Sequence, residues 1–333
     1  MALRTLVRLA LVLAVVGVHV FAATATPAAA QDGTATAART QKRLAKQTVL
    51  KKGLKWVESK QDATGGYPDG TGYVSGAATG VTISMLIALQ NAGLDVETDA
   101  PVAFLQEALP RVLEETPEAA EDVALIGQVV MAFVAAGADP RDVGGNDLVA
   151  FLVDSWDAGA GIYGSLFGES ALVVMALAAA DEPIEEEAIA TFAAKQLDDG
   201  SWSSYGDTAP GSGTAEGTAS VVQALVAAGR GDDPMIADAL AYFRSIQDDG
   251  GGFSIIPGEL PDAYSTANVI SALIAAGEDP KEWGDVVSAL LAFQNESGAF
   301  RPRDDFPSDD IGATILALTA LAGAYWPVLP TTA

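Results

Sequence analysis

With 333 residues, half of them hydrophobic, the chain carries enough apolar mass for one large domain or two ordinary ones. It has no cysteine and a single histidine, His19, which excludes disulfides, thiolate metal sites and cysteine nucleophiles. A formal net charge of −26 argues against nucleic acid and anionic membrane as partners.

Residues 1–30 read as a secretory signal. Arg4 and Arg8 form the charged start, Leu9 to Ala23 the apolar run, and Ala28, Ala29 and Ala30 a small-residue cleavage site before Gln31. That run is short for a helical span of roughly 20 residues, and no second stretch reads as one. The mature protein is therefore expected to be exported, without a membrane span and without histidine. Residues 31–43 read as a flexible leader. Eight basic residues stand between Arg39 and Lys60, whereas residues 61–333 carry eight basic against forty-two acidic. The basic first helix is expected to pack on the acidic body and help close it.

From residue 44 to residue 326 one pattern repeats six times, before a tail at 327–333: helix, glycine-rich loop, helix, short stop. The second helix of each pair is the clearest. The six are Val81–Leu89, Val123–Ala136, Ala171–Ala180, Ala219–Ala228, Ala267–Ala276 and Ala313–Ala322. They are rich in Ala, Val, Leu and Ile almost all round, which places them inside. Their stops are Gly93, Gly137, Asp181, Gly229, Gly277 and Gly323, at intervals of 44, 44, 48, 48 and 46 residues. Asp139-Pro140, Asp233-Pro234 and Asp279-Pro280 each look like an N-cap followed by proline at the first helical position of an outer helix.

Four outer helices end in glutamine, three residues, glycine, one residue and an aromatic: Gln61 to Tyr67, Gln196 to Trp202, Gln247 to Phe253 and Gln294 to Phe300. The glycine closes the helix in the left-handed conformation. The aromatic plugs the gap to a neighbouring helix, and the glutamine amide ties off open backbone groups. The second copy lacks this triplet, and the third keeps only Gly159, Gly161 and Tyr163. Six buried and six amphipathic helices predict an all-α (α/α)6 toroid, with an open helical solenoid as the alternative.

The Q-x3-G-x-W spacing at a helix end resembles the QW motif of the prenyltransferase/squalene-oxidase repeat. That superfamily includes squalene-hopene cyclases, protein prenyltransferase β subunits, the complement thioester domain and the transcobalamins. The resemblance covers roughly residues 44–326 and implies a toroid whose cavity is lined by the second helices. Fold does not carry function, so each activity is checked at its own residues. Class II cyclases protonate an alkene from a D-x-D-D motif, and the nearest string here is Pro307-Ser308-Asp309-Asp310. The zinc site of protein prenyltransferases and the thioester both need cysteine, which is missing. Ligand binding of the transcobalamin sort remains, without the cysteines of that group.

The starts of the inner helices carry Asp122, Glu169, Glu216, Asp262 and the pair Asp309-Asp310, with Tyr264 beside them. If the inner helices run one way, these side chains gather at one mouth of the cavity as candidate ligand-binding residues. Helix capping explains acids at such positions without any ligand. The expected function is exported, cofactor-free and metal-free binding of a hydrophobic or amphipathic small molecule or an envelope protein partner. The alternative is a carboxylate-dependent secreted enzyme (a lyase, a glycosidase or one like the terpene cyclases), with Asp309 and Asp310 as its acids.

Overall fold

The structure, a computed structural model, describes residues 47–68, 76–91, 93–115 and 122–328. The signal at 1–30, the leader at 31–43 and most of the tail at 327–333 lie outside them. Residues 47–58 form helix α1. It is followed by α2 (Gly76–Asn91), α3 (Asp99–Glu115), α4 (Val123–Ala135), α5 (Leu148–Asp154) and α6 (Phe167–Ala179). Then come α7 (Glu186–Lys195), α8 (Ala215–Ala227), α9 (Pro234–Ile246), α10 (Ala263–Ala275), α11 (Val286–Leu291) and α12 (Ile311–Ala322). One two-residue hairpin, β1 (Trp156–Asp157) with β2 (Ile162–Tyr163), replaces the degenerate turn of the third copy. None of the described helices is long and apolar enough to cross a membrane.

The even-numbered helices form a closed inner ring. Each packs on the next in chain order, and α12 packs back on α2. That last contact decides for a toroid over an open solenoid. All six stops adopt the left-handed conformation, including Asp181 at φ 58°, which takes it without being glycine. Helices α2, α6, α8 and α10 begin about one turn earlier than their apolar runs suggest and α12 two residues earlier, whereas α4 begins at Val123 as expected. Asp122, Thr214, Asp262 and Asp310 act as N-caps with their side chains on the backbone N–H three residues on. Two of the three Asp-Pro pairs start something other than an outer helix. Asp139 caps a turn ahead of α5, whose own cap is Asp147, and Asp279 caps the 3-10 turn Pro280–Glu282 ahead of α11. Only Asp233-Pro234 opens its helix, α9.

The recurrent turn does more than stop a helix. Gln196 Nε2 donates to the Gly200 carbonyl (3.0 Å) and to the Met235 carbonyl of the next outer helix (2.9 Å). Gln247 does the same to Gly251 and Trp283, and Gln294 to Gly298 and Val49. These three glutamines thus each grip their own turn and the next outer segment: α9 for Gln196, the 3-10 turn before α11 for Gln247, and α1 for Gln294. At Gly200, with φ 86°, an added Cβ would run into the carbonyl oxygen of Asp238. The aromatics are tied in a second way. The backbone N–H of Tyr67, Tyr163, Trp202, Phe253 and Phe300 donates to the hydroxyl of Thr79, Ser170, Thr218, Thr266 and Thr314 respectively, at 2.8–3.1 Å.

Helix α1 closes the ring as expected, but by different chemistry. Its lysines Lys51, Lys52, Lys55 and Lys60 are exposed and, among the described residues, form no ion pair. Closure rests on the Val49 carbonyl, on Gly53 packed under Leu318, and on Trp56 Nε1 donating to Asp309 Oδ2 at 3.1 Å. Trp56→Phe should keep the ring contact and lose that bond. The expected loss is about 1 kcal/mol of unfolding free energy, read as a lower urea midpoint, and Asp309→Ala should cost more, since it also loses the bonds from Asn295 and Ser297.

Candidate functional site

Repetition of the inner helices makes their accessibility comparable position by position. Two residues past the cap stand Ala124, Gly168, Glu216, Tyr264 and Gly312. Six past it stand Gln128, Leu172, Ser220, Asn268 and Leu316, with Val81 at the matching place in α2. All of these keep partial accessibility. The four-residue step puts them on one stripe of each helix. Ten past the cap, the stripe continues as Met85, Ala132, Ala176, Ala224, Ala272 and Ala320, all buried. A stripe shared by six ringed helices faces the ring axis. The toroid therefore holds a narrow axial pit, open at the N-terminal end. Its two accessible layers lie about 6 Å apart, at roughly 1.5 Å per residue. Five alanines and Met85 form its floor, small enough to let the six helices meet.

The wall is divided. Helices α8 and α10 present Glu216, Ser220, Tyr264 and Asn268, and α4 adds Gln128, whereas Val81, Leu172 and Leu316 are apolar. Among the described residues, the side chains of Gln128, Glu216, Ser220 and Asn268 form no hydrogen bond. Polar groups half-withdrawn from water and left without protein partners suit a bound polar ligand.

The acids differ in how they are engaged. Asp122 is an exposed cap that accepts from Leu125 N at 2.9 Å. Glu169 turns back on Ser165 N (2.9 Å) and Leu166 N (3.0 Å), closing its own helix start. Asp262 accepts from the backbone N–H and the hydroxyl of Ser265, both at 2.8 Å. Asp310 Oδ1 takes Ala313 N at 2.8 Å and the Tyr264 hydroxyl at 2.5 Å. Asp309 lies exposed on the outer side of the loop, where Trp56, Asn295 and Ser297 donate to it. The neighbours Asp309 and Asp310 thus serve different surroundings. Glu216 alone among these acids caps nothing and accepts nothing.

Glu216 and Tyr264 hold the same place on successive helices, and each lies beside the cap acid of the next helix. Tyr264 reaches Asp310 over Gly312, where any side chain would strike its hydroxyl. Glu216 feels Asp262. Burial, and then the Asp262 charge, push the Glu216 carboxyl up to about 7. Burial also raises Asp262, against the hydrogen bonds from Ser265. Tyr264 is pushed far up by burial and by its bond to the Asp310 carboxylate. Glu216 therefore titrates near neutral pH and can give or take a proton there.

Loops lie over the helix starts. The Ser204 backbone packs on Gly168 and Gly217, the Ile255 carbonyl accepts from Ala215 N, and the Pro302 carbonyl from Ala263 N. The exposed apolar side chains Tyr205, Ile255, Ile256, Leu260 and Phe306 belong to these loops, and Leu166 caps α6. Off the axis, a cleft of about 280 Å³ lies between the ends of α6, α7 and α8, with its Arg230 paired to Glu186. A second, of about 260 Å³, lies beneath residues 257–261. Among the described residues, no group of three or more acids comes together in a way that would hold a metal ion.

Several solved structures share this architecture. The type II terpene cyclase MstE from Scytonema superposes with a TM-score of 0.61 at 15% identity, covering 83% of this chain and 97% of that one. A glycosidase variant superposes with 0.60 at 14% identity, covering 86% and 99%. Haptocorrin in complex with Cbi gives 0.56 at 12% identity, covering 86% and 69%. The chain has the terpene-cyclase-like α/α-toroid fold. No family model matches the sequence, and no curated protein matches it. At these identities the likeness is one of fold, and the toroid carries both catalysts and a binding protein.

Proposed function

We propose that the protein is an exported binder of a small amphipathic molecule, whose polar end enters the axial pit while its apolar remainder lies against Leu172, Leu316 and the loops at the mouth. The observation that carries this reading is the set of unpartnered polar side chains, Gln128, Glu216, Ser220 and Asn268, set among the apolar Val81, Leu172 and Leu316. Haptocorrin, with the same fold, is named as binding Cbi. Native mass spectrometry of protein purified from its own host is expected to show a co-purifying small molecule. Ser220→Phe should fill the pit, abolish that adduct and leave the fold intact. An adduct that survives Ser220→Phe would place the ligand elsewhere.

A second reading, a carboxylate-dependent enzyme, is favoured by one observation: a carboxyl that titrates near neutrality stands in the pit. MstE variants of the same fold were solved with geranylgeranyl dihydroxybenzoate, named as substrate. On this reading the proton-transferring group is Glu216 rather than Asp309, both of whose oxygens accept hydrogen bonds, or Asp310, whose Oδ1 holds Ala313 N and the Tyr264 hydroxyl. Turnover of a prenyl or glycan substrate that Glu216→Gln abolishes would establish it.

A further inference from the structure

We infer that the polar end of the pit's occupant is a protonated amine, seated against Glu216. The inference rests on the pit being the binding site. Its argument is charge complementarity. The polar sector of the wall presents the Glu216 carboxyl, with the Asp262 carboxylate acting on it and Asp310 held behind Tyr264, and no Lys or Arg stands among the described residues of the stripe. Arg303, in the loop before α12, feels Asp262 but is forked onto Asp305 at 2.6 and 3.0 Å. On the other flank Glu169 is turned back on its own helix start. Glu216 thus faces Asp262 and Tyr264 from α10, with Asp310 behind Tyr264, and nothing positive answers it.

A carboxylate ligand would meet three like charges there. A neutral hydroxyl would leave the acids unanswered. An ammonium carries up to three donors and no acceptor. It finds acceptors in Glu216, in the Ser220 hydroxyl and in the amide oxygens of Asn268 and Gln128, and its bond to the carboxylate is charge-assisted. The ammonium also favours the ionised form of Glu216, so binding below about pH 7 releases a proton.

The test uses the full chain and three probes of one length: hexylammonium, 1-hexanol and hexanoate. Binding is followed by protein-observed NMR at the Ser220 and Asn268 amides. At about pH 8 hexylammonium should bind about tenfold tighter than 1-hexanol, with hexanoate the weakest of the three. Its advantage should shrink at about pH 6, where Glu216 is mostly protonated, and Glu216→Gln should remove it at both values. Equal binding of 1-hexanol and hexylammonium, or tighter binding of hexanoate, overturns the charge assignment and leaves the pit standing. Failure of all three probes to shift these amides overturns the pit, and the amine with it. The pH series on the unmodified protein decides the question even if the glutamine variant folds poorly.

Discussion

Trp202→Ala is expected to lower the unfolding free energy by roughly 3–5 kcal/mol, the range for emptying a buried aromatic site. The indole is wholly buried, among the largest side chains in the core. Its Nε1 donates to the Phe192 carbonyl at 2.8 Å, a second bond beside the one that carbonyl accepts from the Gln196 backbone N–H. Truncation leaves a cavity and removes the indole's bond to that carbonyl. The neighbourhood cannot collapse freely, because the turn is held by Gln196 to Met235, by Gly200 against Asp238, and by the Trp202 N–H on Thr218. Trp202→Phe should recover most of the loss, leaving about 1 kcal/mol for the missing hydrogen bond. Urea unfolding followed by circular dichroism measures both. An alanine variant with an unchanged midpoint would mean the ring is not the plug its burial implies.

That plug was visible in the sequence because its residues recur in fixed register. The helix stops were visible for the same reason, and between them they define the hairpins and their order. The ring of Ser and Thr hydroxyls was equally available. Ser170, Thr218, Thr266 and Thr314 stand 48 residues apart, but a threonine inside an apolar helix announces no partner until the preceding turn is seen beside it. Closure by α1 was legible as a contact but not as chemistry, since the lysines suggest ion pairs while the bonds run through Trp56 and Val49. The mouth acids were legible only as a group. Asp at a helix start reads the same whether it caps or faces a cavity. What separates Glu216 from Asp122 or Asp310 is two positions along the helix, from the cap to a residue on the axial stripe. The stripe itself has no hydropathy signature, because Val81, Gln128, Leu172, Ser220, Asn268 and Leu316 share position rather than polarity.

Glu216→Gln is expected to stabilise the protein in alkaline solution while removing the carboxyl proposed to seat the ligand. A glutamate of ordinary environment titrates near 4.5, and in the folded chain burial and the Asp262 charge raise Glu216 to about 7. Between these values the folded state keeps a proton that the unfolded chain has released, so folding binds a proton. The stability this brings is fully present below about pH 4.5 and is lost as pH rises through about 7. At about 1.4 kcal/mol per unit, the loss by pH 8 is on the order of 3 kcal/mol. Glutamine has no proton to lose, so the two proteins should have similar stability near pH 4.5 and diverge upward from there, with the variant the more stable at pH 8. Urea midpoints of both proteins across this range supply the measurement. Parallel curves would mean that Glu216 is hydrated in solution like any surface glutamate. A widening gap would mark a group held at a thermodynamic cost, as expected of residues kept for binding or chemistry rather than for the fold.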